Sequence, residues 1–381
     1  MAGNNVPRQT GSLVHRVFPV KVPREMRAVI YRGVNDLRLE TLPVPRIRSD
    51  EILVKVAACG VCPTDIKKIR YGTVPPPRIF GHETAGTIVQ VGARVRGFRF
   101  GDRVALHHHV PCLECHVCRH RAFAQCRQYK RTGISAGLEP AGGGYAEYVR
   151  VMAFVLPGVV KIPARNTFVE GALLEPVNTV LKAIDRLRLL RDDTALVVGQ
   201  GPIGLMFTRL LAIRRVRVVA TDLVPERLAS ARKFRARWAF SASDEELAGK
   251  IARLTRGHGL DAVIVTAPSD AAVRESLQMV RGAGQVLLFA HTRRGSETAI
   301  DLSSVCVDEK DLIGSYSADI TLQAEVARLV FSRRFDVRGL VTHRFPLAET
   351  AAAIALAAEP TSTSLKVVVT GETEPGIVPG R

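Results

Sequence analysis

The sequence predicts an α/β protein of two domains, one of them a doubly wound parallel sheet, and three observations carry that prediction. The chain has 381 residues, more than a single average domain holds. At TALVVGQGPIGLMFTRLLA a glycine-rich turn joins a β-branched run to an apolar helical period. Further strand-length runs, VRVVATD, DAVIVTA and GQVLLFA, alternate with helical stretches such as that around residues 270–281. Strands spaced by helices in this way read as parallel strands with crossover helices, over residues 179–314.

Composition bounds the rest. A hydrophobic content of 46% and a charged content of 24% are those of a globular chain. Every apolar stretch longer than a strand is broken by Arg, Asp or Gly, so none approaches the roughly 18 residues of a membrane span, and a soluble protein with no membrane partner is expected. Residues 1–25 carry Arg8, Arg16, Lys21 and Arg24 with no acid before Glu25. They weakly resemble a transit peptide, but no amphipathic helical period is visible, and the reading is a disordered basic tail. Six of the seven cysteines fall between Cys59 and Cys126, which argues for metal ligation in a reducing compartment, read as the cytoplasm. The net charge of +18 would attract polyanions. Arg is nevertheless scattered, with no basic stripe interleaved with stacking aromatics, so a solvated surface and no specific nucleic acid are expected.

Taken along the chain, EILVKVAACGVCPTDI is an apolar strand that runs through a Gly turn to Cys62, Thr64 and Asp65. IFGHETAGTIVQVG then presents His82 and Glu83 ahead of a second strand. In GALLEPVNTVLKAI, Glu175 is the one acid in an apolar surround, and such an acid needs a partner. Singly, His82 reads as a satisfied structural histidine and Glu175 as a helix-start carboxylate. Together Cys62, His82 and Glu175 offer a thiolate, an imidazole and a carboxylate and leave a fourth position open, the arrangement of catalytic zinc. Cys59 stands in C-x2-C with Cys62, and spacing alone leaves chelation and redox cycling both open.

Between these pieces, PCLECHVCRHRAFAQC places Cys112, Cys115, Cys118 and Cys126 in C-x2-C-x2-C-x7-C. One loop with those intervals can wrap four thiolates around a tetrahedral ion, and zinc is the natural occupant. Four thiolates close the coordination shell, so the loop reads as a structural staple. An iron–sulfur reading lacks a following C-P, and His116, Arg119, His120 and Arg121 make the loop too polar for four merely buried thiols.

The glycine turn is G-x-G-x-x-G at Gly199, Gly201 and Gly204, with Pro202 and Ile203 inside it. Its glycines let backbone approach a pyrophosphate that the following helix N-terminus faces. The second strand ends at Asp222, where an acid meets the adenosine ribose. Asp222 would repel a 2′-phosphate and so favours NAD over NADP, while Arg227 nearby softens that preference.

With C-G-V-C-P-T-D, G-H-E, the four-cysteine loop, G-G-G-Y-A-E-Y, L-L-E-P and G-x-G-x-x-G in that order, the chain resembles the zinc-dependent medium-chain dehydrogenase/reductase superfamily over residues 26–370. That superfamily contains alcohol, sorbitol and threonine dehydrogenases. The resemblance implies a GroES-like, mainly β catalytic domain at 26–178, completed by 315–370, and a Rossmann coenzyme domain at 179–314, with 371–381 as a tail. It implies an active site in the cleft between them, two zinc ions per chain, NAD, and a homodimer or homotetramer. It makes Cys62, His82 and Glu175 the catalytic zinc ligands, Cys59 a packing residue, and Glu83 an exchanging ligand or a support beside the metal. Cys62 and both glutamates together would offset more than the zinc charge, so the glutamates are expected to alternate. Thr64 would carry the proton away, Asp65 orient a ligand, and Thr179 line the nicotinamide.

The implied reaction is hydride transfer between NAD and a secondary alcohol of polyol or sugar type, with an amino alcohol such as threonine or a phosphorylated substrate as the alternative. A nucleic-acid-binding zinc protein is the remote alternative and leaves the metal triad and glycine turn unexplained. Three departures stand out. Pro63 occupies a position where relatives often contact the pyrophosphate, Lys67 one where some alcohol dehydrogenases carry a relay histidine, and His107–His109 form a run read as packing or interface residues.

Overall fold

The computed structural model describes residues 22–371, apart from 108–109, 130, 132, 139–141, 291–294 and 296. The expected N-terminal tail, except for its last four residues, lies outside the described residues, as do all but the first residue of the C-terminal tail and His108 and His109.

Apolar runs long enough for strands build two sheets. Strand Ile52–Gly60 is buried on both faces apart from Lys55, as befits a central strand. It pairs antiparallel with Glu83–Val91 on one side and with Lys366–Thr370 on the other. The eight-stranded sheet runs Val341–Pro346, Lys366–Thr370, Ile52–Gly60, Glu83–Val91, Arg103–Leu106 and Val160–Lys161, with Ile134–Ser135 and Tyr148–Val151 off this path. The end of the chain thus returns to a sheet begun some three hundred residues earlier.

The second sheet has six parallel strands in the order Trp238–Ser241, Arg217–Asp222, Thr194–Val198, Leu260–Val265, Val280–Leu288 and Asp311–Gly314. Every neighbouring pair is parallel. Chain order reverses between Thr194–Val198 and Leu260–Val265, and a crevice at such a switch point is where this architecture takes its ligands. The doubly wound sheet expected over 179–314 is therefore present.

Helix Leu174–Ile184 joins the two halves. It is buried along nearly its whole length, Lys182 excepted, with Glu175, Asn178 and Thr179 buried among its apolar residues. The expected boundary at residue 178 falls inside this helix, whose apolar residues pack in a core shared by both sheets. The core around it mixes Ala58, Ala85 and Ala105 of the first sheet with Leu205, Phe207 and Ile264 of the second unit, so the domains share apolar packing behind the cleft.

Candidate active site and metal centres

Cys62 ends the turn after Ile52–Gly60 and caps helix Pro63–Tyr71, whose N-terminus presents partial positive charge to the sulfur. Pro63 takes a first-turn position, where its missing N–H leaves nothing unsatisfied. The register Gly60↔Glu83 then brings the start of strand Glu83–Val91 alongside. Ligand atoms of Cys62, His82 and Glu83 all lie within 4.8 Å of one another. A Cβ at Gly60 would stand 1.9 Å from Glu83 Oε2, so only glycine lets the carboxylate in.

His82 Nδ1 lies 3.1 Å from Asp65 Oδ2, and Asp65 also accepts the Gly81 N–H at 3.1 Å. Burial works against charge on both groups. The Asp65 carboxylate and the Cys62 sulfur nonetheless hold the imidazole well above its ordinary value, and His82 in turn holds Asp65 below its own. A carboxylate behind a histidine fixes the ring and leaves Nε2 for a ligand.

Lys366 was missed by sequence reasoning. Its side chain, 4% exposed, donates to Glu83 Oε1 at 2.6 Å and to the Val61 carbonyl at 2.8 Å. Burial disfavours the ammonium, but Glu83 and then Cys62 raise it above the ordinary lysine range. The available signal was a lone lysine at the head of the β-branched run KVVVT. Glu83 Oε2 is buried without a hydrogen-bond partner among the described residues. An orphaned buried oxygen beside a cysteine sulfur and an imidazole is the donor set a zinc ion would complete, so the residues fit the metal.

Glu175 is expected as the third ligand, in alternation with Glu83. The close group holds Glu83, because Glu83 follows His82 directly on a strand paired to Gly60. Glu175 sits outside that group, in the first turn of Leu174–Ile184 on the wall of the same cleft. Burial there pushes its carboxyl up to about 7. Thr64 and Lys67 line this cleft too, as does Thr179, whose hydroxyl donates to the Pro176 carbonyl at 2.8 Å. Cys59 is wholly buried, its thiol pushed up to about 12 by burial, with Sγ 3.5 Å from Thr84 Oγ1. That is a neutral packing thiol. His107 is likewise buried.

The four cysteines of the loop are all free thiols. Sulfur separations are 3.5 Å for Cys115–Cys118, 3.6 Å for Cys126–Cys112 and 3.9 Å for Cys112–Cys118. A tetrahedron with Zn–S bonds of about 2.3 Å has edges of about 3.8 Å, so these sulfurs already stand at the spacing an ion needs. Burial raises the Cys126 thiol, yet backbone N–H groups of Cys112 and Tyr129 bring it down to about 6. Around the sulfurs Cys118, Phe123, Ala124, Cys126 and Tyr129 form a small core of their own.

At the coenzyme end, Gly199 has φ +88°, a left-handed turn that side chains disfavour. A Cβ at Gly204 would meet the Gly199 carbonyl at 1.8 Å, so the third glycine is demanded by helix-to-strand packing. A Cβ at Gly201 would meet nothing within 4 Å, which is the open approach a pyrophosphate requires at the N-terminus of helix Pro202–Ile213. Asp222 accepts backbone N–H bonds from Gln200 at 2.6 Å and Val224 at 2.9 Å, which anchor it at its strand end. Arg227 stands 4.0 Å from it. One cleft of about 600 Å³ is lined by Cys62, Thr64, His82, Glu83 and Glu175 on one wall and by Gly201, Pro202, Ile203 and Arg227 on the other.

A metal centre and a dinucleotide turn facing each other across one cleft define a two-domain, cofactor-using α/β protein. The model of the alcohol dehydrogenase GroES-like domain matches residues 48–164, and that of the zinc-binding dehydrogenase domain residues 202–332. Sorbitol dehydrogenase of Bacillus subtilis is 30% identical over 354 residues, 91% of this chain and 98% of that one. A zinc-binding dehydrogenase of Sinorhizobium meliloti, solved with NADP, superposes with a TM-score of 0.82 at 26% identity, covering 91% of this chain and 99% of that one. An alcohol dehydrogenase of Escherichia coli CFT073, solved with NADH, gives 0.81 at 25% identity and covers 91% and 100%. The chain belongs to the zinc-dependent medium-chain dehydrogenase/reductase superfamily.

Proposed function

We propose that this enzyme oxidises a secondary alcohol of the polyol class with NAD, or reduces the matching ketone. The observation that carries the reading is the single cleft in which Cys62, His82 and Glu83 face Gly201 and Arg227. When bound, zinc supplies Lewis acidity that lowers the pKa of an alcohol, and the nicotinamide supplies the hydride acceptor. The protein's own residues do the rest. Cys62 and His82 hold the ion, and Glu83 and Glu175 share the remaining protein position. Asp65 orients His82, and Lys366 neutralises Glu83, so the centre is not overloaded with negative charge. Thr64 would relay the alcohol proton through its hydroxyl, accepting it while passing its own on toward water at the cleft mouth. Thr179 lines the nicotinamide, Gly199, Gly201 and Gly204 with Pro202 and Ile203 admit the pyrophosphate, and Asp222 binds the adenosine ribose in preference to a 2′-phosphate. The closed four-cysteine loop holds a second, structural zinc.

The test follows reduced-nicotinamide absorbance while zinc-loaded protein is offered NAD or NADP with polyols, simple secondary alcohols, threonine and sugar phosphates. Turnover of polyols with NAD is expected. Turnover confined to threonine or to primary alcohols sinks the substrate assignment, and a preference for NADP sinks the role given to Asp222. A phosphorylated substrate is favoured by one observation, the Lys67, Lys68 and Arg78 side chains along the cleft. Inorganic phosphate at constant ionic strength competes with substrate on that reading alone.

We also propose a homo-oligomer in the cytoplasm. Strand Asp311–Gly314 is the last in its sheet and has one edge without a strand partner among the described residues, and Leu312 on it is exposed. Light scattering on the purified chain decides between monomer, dimer and tetramer.

A further inference from the structure

The segment 315–319 carries the chain from edge strand Asp311–Gly314 back toward the catalytic domain, and Ser315, Tyr316 and Ser317 line the cleft as it passes. Ser317 has φ +61°, a left-handed conformation that a residue with a side chain keeps only when its surroundings impose it. Two sets of bonds do so. From one side, helix Leu174–Ile184 grips the segment: Lys182 Nζ donates to the Tyr316 carbonyl at 2.8 Å, Asp319 N–H to Asn178 Oδ1 at 2.8 Å, and Asn178 Nδ2 to the Asp319 carbonyl at 3.0 Å. From the other side, among the described residues, comes Tyr129. Its hydroxyl bonds Ser317 Oγ, accepts the Ala318 N–H at 3.2 Å and reaches the Ala318 carbonyl at 3.5 Å.

Tyr129 is not an ordinary wall residue. Its ring is buried in the small core of the four-cysteine lobe, three residues after Cys126. Ala124 of that lobe also faces the cleft. The lobe therefore reaches the coenzyme-side segment through this hydroxyl. We infer that Tyr129 is a positioning residue through which the four-cysteine lobe sets the conformation of residues 315–319, and with it the part of the cleft wall that Ser315, Tyr316 and Ser317 form. A structural ion in the lobe would then act on the reaction without touching substrate, by keeping Tyr129 in place. The structural half of this inference stands whatever the substrate proves to be. Only its kinetic half rests on the cleft being the reactive site.

The experiment is Tyr129→Phe in the full chain, with zinc analysis, hydrogen–deuterium exchange over 311–322 and 112–126, and steady-state kinetics. Losing a hydroxyl that holds three partners should raise exchange at 315–319 about threefold to tenfold, with zinc content and lobe exchange unchanged. The value of kcat/KM should fall by a similar factor. Cys115→Ser, which opens the lobe, should raise exchange at 315–319 in the wild type and add nothing further once Tyr129→Phe is present, because coupled groups are not additive. Unchanged exchange at 315–319 in Tyr129→Phe overturns the inference, as do additive effects of the two substitutions. Faster exchange with unchanged kcat/KM overturns the link to the cleft. If Tyr129→Phe loses its lobe zinc, Ser317→Ala removes one of the three contacts from the far side with the lobe native; a smaller rise in exchange at 315–319 is then expected, and no rise overturns the inference.

Discussion

The four-cysteine loop draws every sulfur from residues 112–126, whereas the centre at Cys62 depends on partners as far apart in sequence as Asp65 and Lys366. The loop is uniform: its four sulfurs, spaced as a tetrahedron's corners, would close the shell of a bound ion and leave no position for substrate. The centre at Cys62 is mixed and neutralised piece by piece, with Asp65 behind His82 and Lys366 on Glu83. A structural site can be written in one short stretch because it needs only its ligands. A reactive site also needs its charge balanced and one face open to a cleft, and those requirements recruit distant chain.

Substitutions can break this contrast. Cys118→Ser should do the most, since a structural zinc contributes binding energy on the order of 10 kcal/mol to its lobe. Metal analysis is expected to fall from two ions per chain to one, and two ions retained would remove the closed-site assignment. Lys366→Met comes next. It leaves Glu83 buried without its counter-charge, which costs about 3–5 kcal/mol when one partner of a buried pair is removed. A clear drop in the urea midpoint is expected, relieved in part by adding Glu83→Gln; an unmoved midpoint contradicts the pairing.

Glu175 gives a smaller effect that depends on pH, in protein stripped of metal. Its carboxyl sits at about 7 in the fold against 4.5 in the unfolded chain, amid His82, Glu83, Lys366 and Asp65. A raised acid means that the unfolded chain sheds the proton first. Stability present below the unfolded value is therefore lost as pH rises from about 4.5 toward 7, by up to about 3 kcal/mol. Glu175→Gln should flatten that slope, and a slope identical to wild type would show that burial is not acting on this carboxyl. Asp65→Asn should be the mildest of the four, weakening metal at the Cys62 centre by about 10- to 100-fold and leaving the four-cysteine loop untouched. Chelator competition with both sites monitored separates the two, and equal weakening at both would erase the distinction between them.

Much of this arrangement was legible before any coordinates. The glycine turn, Asp222 and the alternating strands specified the parallel sheet, because strand-turn-helix periodicity is written locally. Cys62, His82 and the four cysteines were legible through residue type and spacing. Glu175 was legible as a buried acid near the metal but not as lying outside the close ligand group, since that depends on Gly60 pairing with Glu83. Cys59 stayed ambiguous in spacing alone; the resemblance implied a packing residue, and its complete burial agrees.

By itself, then, the sequence determined the chemistry available: which groups are offered as ligands, where a glycine turn opens the backbone, and what kind of sheet presents them. The tertiary structure alone decided how those groups are balanced. Lys366 meets Glu83 across 283 residues and Tyr129 meets Ala318 across 189. Neither pair leaves a periodic or spaced signal, because each forms only when sheets and loops already folded bring a buried charge or hydroxyl to the one partner that satisfies it.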